Sequence, residues 1–174
     1  MGLGARIVER KGRSPHIGWR WDRETDILTG AIKRPAAKDA PGLNGSVELE
    51  GGDGSFVLLD IAAGKIHGVE VVVWPDVRTV PALDVPESAT PGDVELPGRR
   101  SQPAVAAVEV DATLAIDANT DESVFHVRIG PSRPVTTVRV ADGLAVEVDE
   151  AAGELAGLWL SEVPPFPADG DDIA

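Results

Sequence analysis

The stretch DGSFVLLDIAAGKIHGVEVVVWP, residues 53–75, occurs a second time in diverged form as DGLAVEVDEAAGELAGLWLSEVP, residues 142–164. The two stretches align without a gap at a constant offset of 89, and nine of the 23 aligned pairs are identical. The identical pairs are Asp53/Asp142, Gly54/Gly143, Val57/Val146, Asp60/Asp149, Ala62/Ala151, Ala63/Ala152, Gly64/Gly153, Gly68/Gly157 and Pro75/Pro164. Self-similarity at a fixed spacing indicates that one structural unit occurs twice in the chain.

Most of the residues that both stretches share are turn residues. The Asp-Gly pairs at 53–54 and 142–143 stand between β-rich runs, a pattern that is typical of hairpins. In the motif D-x-A-A-G, at 60–64 and 149–153, the Asp can accept a hydrogen bond from its own main chain, and the Gly adopts positive φ at little cost. We therefore expect positive φ at Gly64 and Gly153, and an architectural role for the shared Asp and Gly residues.

Upstream, DRETD at 22–26 corresponds to DANTD at 117–121 with an offset of 95, so the first copy has six extra residues. The Pro-, Gly- and Lys-rich segment 33–45 has the composition of a surface loop and can hold them. Between the turn signals, β-branched and apolar runs predict five strands in each copy. The expected strands are 17–21, 27–32, 47–50, 55–60 and 66–74, and then 108–116, 124–129, 135–140, 144–148 and 155–163.

This pattern predicts an all-β protein in which two pseudo-symmetric repeats pack as a barrel or sandwich of about ten strands, because a lone unit of that size would bury little surface. We expect repeat one at 1–75, a linker at 76–103, repeat two at 104–166 and a mobile acidic tail at 167–174. The linker contains five prolines, which cannot donate ladder hydrogen bonds, so it is predicted to be an extended connector.

The order of these motifs resembles the bacterial domain-of-unknown-function 2283 family. The resemblance depends on Asp22, Asp26, Asp53-Gly54, Asp60 and the run GKIHGVEV at 64–71. It covers residues 19–74 well, and 114–163 is a more divergent second match in which Trp159 stands where the first copy has Glu70. The long loop of the first copy departs from the family. The resemblance implies a compact β-rich unit with no assigned activity.

Composition limits the classes of function. The chain has 16 basic and 29 acidic residues and a net charge of −13, which repels nucleic-acid phosphates and anionic lipid, so neither is an expected partner. No apolar run approaches the length of a membrane span or resembles a signal peptide, and the expected location is the cytoplasm. Cysteine is absent, which excludes disulfides, thiolate metal sites and a cysteine nucleophile.

No motif in the sequence indicates a catalytic or cofactor site. His16, His67 and His126 form no metal-binding pair at a recognisable spacing, and we expect no metal or cofactor. Neither His67 nor His126 is repeated, since their aligned partners are Ala156 and Ala31. An unshared polar residue on a strand indicates either a solvated face or a specialisation of one copy.

Tryptophan is the most informative residue type, because the chain has four Trp, three Phe and no Tyr. Trp19 and Trp21 are two residues apart and should share a strand face, while Trp74 and Trp159 fall in the last strands of the two copies. They could be core residues, or they could line a ligand cavity or a partner surface. Residues that differ between the copies can account for a one-sided function, so the candidate ligand-binding residues are these four Trp together with His67 and His126.

Two functions remain open from the sequence. The first is a non-enzymatic binding module, such as an acidic inhibitor or immunity-like protein that engages a basic partner protein. The second is a small β-barrel that binds or cyclises a hydrophobic small molecule in bacterial secondary metabolism without a cofactor, acting by substrate positioning. An apolar, Trp-lined pocket above roughly 300 Å³ would favour the second. The sequence leaves the oligomeric state open.

Overall fold

A computed structural model describes residues 2–10, 12–34, 42–97 and 106–167, and these residues form fifteen β-strands and no helix. The strands are β1 Arg6–Val8, β2 Ile17–Trp21, β3 Leu28–Ile32, β4 Gly45–Glu50, β5 Phe56–Ala62, β6 Lys65–Val73, β7 Val77–Thr79, β8 Thr90–Pro91, β9 Asp93–Glu95, β10 Ala106–Asp111, β11 Leu114–Ala118, β12 Phe125–Ile129, β13 Thr136–Ala141, β14 Leu144–Asp149 and β15 Glu154–Leu160. The all-β prediction is confirmed. The expected count of about ten strands is wrong, because short strands also form in the predicted linker and near the N-terminus and the predicted strand 108–116 is divided in two.

The first large sheet has six strands in the order β10-β4-β5-β6-β3-β2. All neighbours are antiparallel except β10, which pairs parallel to β4. The predicted single strand 108–116 is therefore wrong. The strand is interrupted at Ala112-Thr113, so β10 belongs to the first sheet and β11 to the second.

The second large sheet has seven strands in the order β7-β11-β12-β15-β14-β13-β8. Its outer strands β7 and β8 come from the predicted linker and pair parallel to β11 and β13. A third strand of that segment, β9, pairs antiparallel with β1 in a small two-stranded sheet. The described part of the linker is thus integrated into the sheets rather than a free connector, and its prolines are compatible with strands of two or three residues at sheet edges. Residues 98–105 and the predicted tail beyond Pro167 lie outside the described residues.

The two large sheets have the same order of antiparallel strands. The series β4-β5-β6-β3-β2 in the first corresponds to β13-β14-β15-β12-β11 in the second. Each series is flanked by one parallel strand at the corresponding edge, β10 beside β4 and β8 beside β13.

The hairpin predictions are confirmed at the shared glycines. The φ angles are 75° at Gly64, 68° at Gly153, 90° at Gly54 and 99° at Gly143. Asp149 accepts a hydrogen bond from the Ala152 backbone N–H at 3.1 Å, as expected for the residue that opens this turn. In the aligned stretch 53–75 the corresponding turn is a two-residue connection between β5 and β6, and its Ala63 N–H donates to the side chain of Asn44 instead.

The upstream alignment at offset 95 places Asp117 in a turn, and the structure contradicts this. Asp117 lies within β11 and is buried, and the turn begins at Asn119. Asn119 N–H donates to Val124 O at 3.1 Å, and Asp22 N–H donates to Ile27 O at 2.8 Å, so these two residues hold equivalent positions. The error arose because Asp is common in turns and the match D-x-x-x-D was short.

The described residues form two hydrophobic clusters, and the larger one takes side chains from both large sheets, including Val47, Leu59 and Val69 from the first and Val127 and Leu158 from the second. Alternate residues of β4 and β5 point into this core, whereas β14 is buried along its whole length because both faces of its sheet are covered. Neither large sheet closes, since the first and last strands of each described order do not pair. The barrel alternative is therefore wrong.

Among the residues that the structure describes, none forms a helix that could cross a membrane.

Candidate functional site

The candidate site is a cleft at one end of the molecule, between the two large sheets. Strands β2 and β6 flank β3 and both run antiparallel to it, so their last residues lie at the same end of the first sheet. Trp21 is the last residue of β2 and Trp74 follows directly after β6. Phe125, the first residue of β12, contributes from the second sheet, and Phe166 from the segment after β15.

These four side chains form one aromatic cluster, which we call the aromatic cluster below. The rings of Trp21 and Trp74 stack with centroids 5.6 Å apart and an interplanar angle of 24°. Phe166 stands edge-on to Trp21 at 5.3 Å and 71°, and Phe125 is tilted against Trp74 at 5.2 Å and 51°. Rings that meet at steep angles form the walls of a recess, and the geometry falls in the favourable range for aromatic pairs.

The recess is an open cleft of about 260 Å³. Its lining consists of the aromatic cluster with Val77, Asp26 and Glu122. Asp26 lies in the turn between β2 and β3, and Glu122 lies in the turn between β11 and β12. Both residues are exposed, and both adopt positive φ, 60° and 54°. Non-glycine residues with this backbone are uncommon and are concentrated in turns and functional sites.

The two indole groups are fixed by hydrogen bonds to the main chain. Trp74 Nε1 donates to the backbone oxygen of Asp26 at 2.7 Å, and Trp21 Nε1 donates to the backbone oxygen of Pro164 at 2.8 Å. Because each polar N–H is satisfied within the protein, the rings are held in place and offer apolar faces. A ligand that enters the cleft would meet a surface that is already ordered, which lowers the entropic cost of binding.

The cleft lies in acidic surroundings. The three segments that border it, 22–26, 76–78 and 119–123, contain six carboxylates and two arginines. The carboxylates are Asp22, Glu24, Asp26, Asp76, Asp121 and Glu122, and the arginines are Arg23 and Arg78. In the second turn, the pKa of Asp121 is lowered by hydrogen bonds from the hydroxyl and then the backbone N–H of Ser123, so this exposed carboxylate is negatively charged over a wider pH range. The excess of carboxylates favours a cationic ligand.

Two other predicted site residues, His126 and Trp159, lie together elsewhere, on the outer face of the seven-stranded sheet. Their rings stack with centroids 3.9 Å apart and an angle of 5°. His126 Nε2 is 2.7 Å from Glu147 Oε1, and these side chains are 13% and 10% exposed. A Cβ atom at Gly157 would collide with the Glu147 carboxylate, so this glycine leaves the space that the pair occupies.

A second group of charges adjoins this pair. The buried Asp117 accepts hydrogen bonds from Arg78 Nη2 and from Arg128 Nη1, both at 3.0 Å. A recess of about 80 Å³ lies beside His126, Arg128 and Glu147. The recess is small, and His126, Arg128 and Glu147 are each paired with another side chain of the protein, which is typical of a structural polar network. Trp159 Nε1, by contrast, is buried without a hydrogen-bond partner among the described residues.

The remaining predicted residues, Trp19 and His67, lie apart from both places. Trp19 shares a face of β2 with Trp21, as predicted, and packs across Gly30 against the core. His67 lies on β6 and is partly buried. Burial lowers its pKa below 6.5, and the positive charge of Arg34 lowers it further. The structure thus brings Trp21 and Trp74 together and groups Trp159 with His126, but it does not gather all six residues in one site.

Sequence reasoning missed Phe125, Phe166, Asp26 and Glu122. The scarcity of aromatic residues could have drawn attention to the two Phe residues, since the chain has only three. Nothing in the sequence indicated that the turns bearing Asp26 and Glu122 meet, because they belong to different sheets and are about a hundred residues apart. Among the described residues, no group of three or more His, Cys, Asp or Glu side chains could hold a metal ion.

A comparison of the chain with models of known protein families gave no match, and no curated protein sequence matched it.

Proposed function

We propose that this protein is a non-enzymatic binding module that engages a basic partner protein through the cleft formed by the aromatic cluster, Asp26 and Glu122. The observation on which the proposal depends is the combination of a preformed aromatic recess with carboxylates at its border. Trp residues in partly buried recesses contribute disproportionately to protein–protein affinity. Acidic surroundings add long-range attraction to a basic surface and increase its association rate.

The overall charge agrees with this function. A net charge of −13 attracts basic surfaces from every direction, but such attraction is screened by salt and does not select a binding mode. The cleft would supply the selectivity, because its lining combines the carboxylates of Asp26 and Glu122 with aromatic rings. Phe166, which is 41% exposed, extends the apolar surface available to a partner.

A titration with long basic polypeptides tests the proposal. We expect polyarginine and polylysine to bind and polyglutamate not to bind, with affinity falling as salt concentration rises. The double variant Asp26→Asn/Glu122→Gln should weaken binding by about 0.5–2 kcal/mol, since each exposed charge contributes up to about 1 kcal/mol.

The matched control is Glu109→Gln/Asp111→Asn. It removes the same charge from β10, at the opposite edge of the six-stranded sheet from β2. This control should retain most of the affinity. Equal losses in the two double variants would show that binding follows total charge and not the cleft, and the proposal would be wrong.

The aromatic contribution is tested by Trp74→Ala. Loss of its apolar contact should weaken polypeptide binding by about 1–3 kcal/mol. The comparison requires that the variant stays folded, which the near-ultraviolet circular dichroism of the other tryptophans can establish. A folded Trp74→Ala protein with unchanged affinity would contradict a role for the cleft.

A hydrophobic small molecule is the second candidate ligand, and the aromatic lining is the observation that favours it. The cleft volume of about 260 Å³ is below the roughly 300 Å³ at which small-molecule sites begin. The cleft is also open and bordered by carboxylates, which an uncharged apolar ligand would have to desolvate. Neutral aromatic probes should therefore bind more weakly than basic polypeptides, and the reverse ranking would favour this second function.

We also infer that the two large sheets are diverged copies of one unit, related by pseudo-symmetry. The shared strand order, the parallel strand at the corresponding edge of each series and the matching positive-φ glycines support this inference. Strand bounds relate the first hairpins of the copies, β2–β3 and β11–β12, by an offset of 97. On this view, the aromatic cluster lies between the copies and depends on residues that they do not share.

A further inference from the structure

We infer that the cleft receives the guanidinium group of an arginine side chain of the partner, an inference that rests on the proposed function. The dimensions of the cleft fit one long side chain. Its volume of about 260 Å³ is small for a typical ligand site, and its mouth is open to solvent, so a side chain that projects from a partner surface can enter without either protein rearranging.

The chemistry of the lining selects a cation. Aromatic faces attract positive charge through their ring quadrupoles, most strongly for tryptophan, and two tryptophans line this cleft. The indole N–H groups of Trp21 and Trp74 are used by main-chain oxygens and do not oppose a cation with donors of their own. Asp26 and Glu122 both line the cleft and come from hairpin turns of different sheets, so a bound cation would be near one carboxylate from each turn.

Arginine fits these features better than lysine. A guanidinium group is planar, so it stacks flat on an aromatic ring, and its fork of donors can pair with a carboxylate at the same time. It is also more weakly hydrated than an ammonium group, which lowers the cost of entering a recess walled by four aromatic rings. Lysine has a compact, strongly hydrated charge, and it gains less from a flat surface.

The four tryptophans provide an internal control for the test. Each indole gives one N–H signal in a nitrogen–proton correlation spectrum, two from inside the cleft and two, Trp19 and Trp159, from outside it. The full chain is titrated with two pentapeptides that are capped at both ends to remove the terminal charges. Each contains glycine and one charged residue, which is arginine in the first peptide and lysine in the second. We expect the arginine peptide to shift the Trp21 and Trp74 signals selectively, with an affinity about fivefold or more above that of the lysine peptide.

Two substitutions separate stacking from apolar contact. Trp74→Phe keeps an aromatic face and should retain the preference for arginine, whereas Trp74→Leu keeps an apolar side chain and should lose it. Both are less disruptive than alanine, since the side chain that fills the space against Phe125 stays large. Retained arginine preference in a folded Trp74→Leu protein would overturn the stacking argument.

The outcomes distinguish this inference from the proposed function. Equal affinity for the two peptides, a preference for lysine, shifts centred on Trp19 or Trp159, or no shift at all would each overturn the arginine assignment. If basic polypeptides nevertheless bind through Asp26 and Glu122 in a salt-dependent way, the proposed function stands without it. If the polypeptides also fail to bind, both are wrong.

Discussion

Replacing Gly64 by alanine is expected to destabilise the protein more than the same replacement at Gly153. Both glycines end the D-x-A-A-G motif and have similar backbone conformations, with φ of 75° and 68°. Their surroundings differ. A Cβ atom at Gly64 would lie 3.1 Å from Glu95 Cγ and 3.1 Å from the Leu96 backbone oxygen, whereas a Cβ atom at Gly153 would meet nothing within 4 Å.

The magnitude follows from two contributions. Placing a side chain in the left-handed region costs about 1–2 kcal/mol and applies equally at both positions. The close contacts at Gly64 add about 1–2 kcal/mol, at the lower end of overpacking costs. The backbone there cannot relax easily, because Gly64 N–H donates to Leu43 O, Leu43 N–H to Leu96 O and Leu96 N–H to Gly64 O, at 2.8, 3.1 and 2.8 Å. We therefore expect losses of about 1–2 kcal/mol for Gly153→Ala and about 2–4 kcal/mol for Gly64→Ala.

Urea unfolding followed by tryptophan fluorescence measures both changes in the free energy of unfolding. Gly64→Val and Gly153→Val should each be more destabilising than the alanine variants, since a β-branched residue resists positive φ more strongly. Equal losses for the two alanine variants would refute the contact argument at Gly64. Unchanged stability in all four variants would show that neither turn requires its glycine.

Three further predictions concern the ionisable residues. Because the pKa of His67 is lowered in the folded state, the folded protein binds this proton less readily than the unfolded chain does. The free energy of unfolding should therefore fall as the pH drops below about 6.5. His67→Gln should flatten that decline, which urea unfolding at several pH values measures. Asp117→Ala should cost about 1.5–3 kcal/mol in thermal unfolding, because it leaves two arginines without their shared acceptor. Arg78→Ala should cost under about 1 kcal/mol, since the Arg78 side chain is 68% exposed. The linker composition predicts that trypsin cuts first after Arg78 or at 99–100. Because Arg78 lies in β7 and pairs with Asp117, we expect cleavage after Arg78 to be slow. An early cut there in a digestion time course would contradict that strand pairing.

Local patterns predicted the elements of this fold well. The expected strand 17–21 matches β2, and β12 through β14 begin and end within one residue of their predicted bounds. The positive φ at Gly64 and Gly153 was predicted because turn geometry depends on a few adjacent residues. The failures share a cause. The division of 108–116 between two sheets and the strands in the Pro-rich linker depend on pairing partners that are distant in sequence.

The candidate site shows the same boundary between local and distant information. The sequence indicated Trp21 and Trp74 only as two of six candidate residues, chosen because their aligned positions in the other stretch are neither aromatic nor titratable. It could not indicate that Phe125 and Phe166 complete the recess, or that His126 stacks on Trp159 at the other face of its sheet. Strand order and register decide which side chains meet across two sheets, and the residues of one strand do not specify its neighbours.

The sequence by itself determined the β class, the positions of the shared turns and the acidic charge, because these follow from side-chain periodicity, backbone preferences and composition. Only the tertiary structure decided that the sheets stay open, that linker strands complete them and that two turns about a hundred residues apart border one aromatic cleft. The physical reason is that strands are stabilised by hydrogen bonds and packing with other segments, so their partners are selected by the folding of the whole chain.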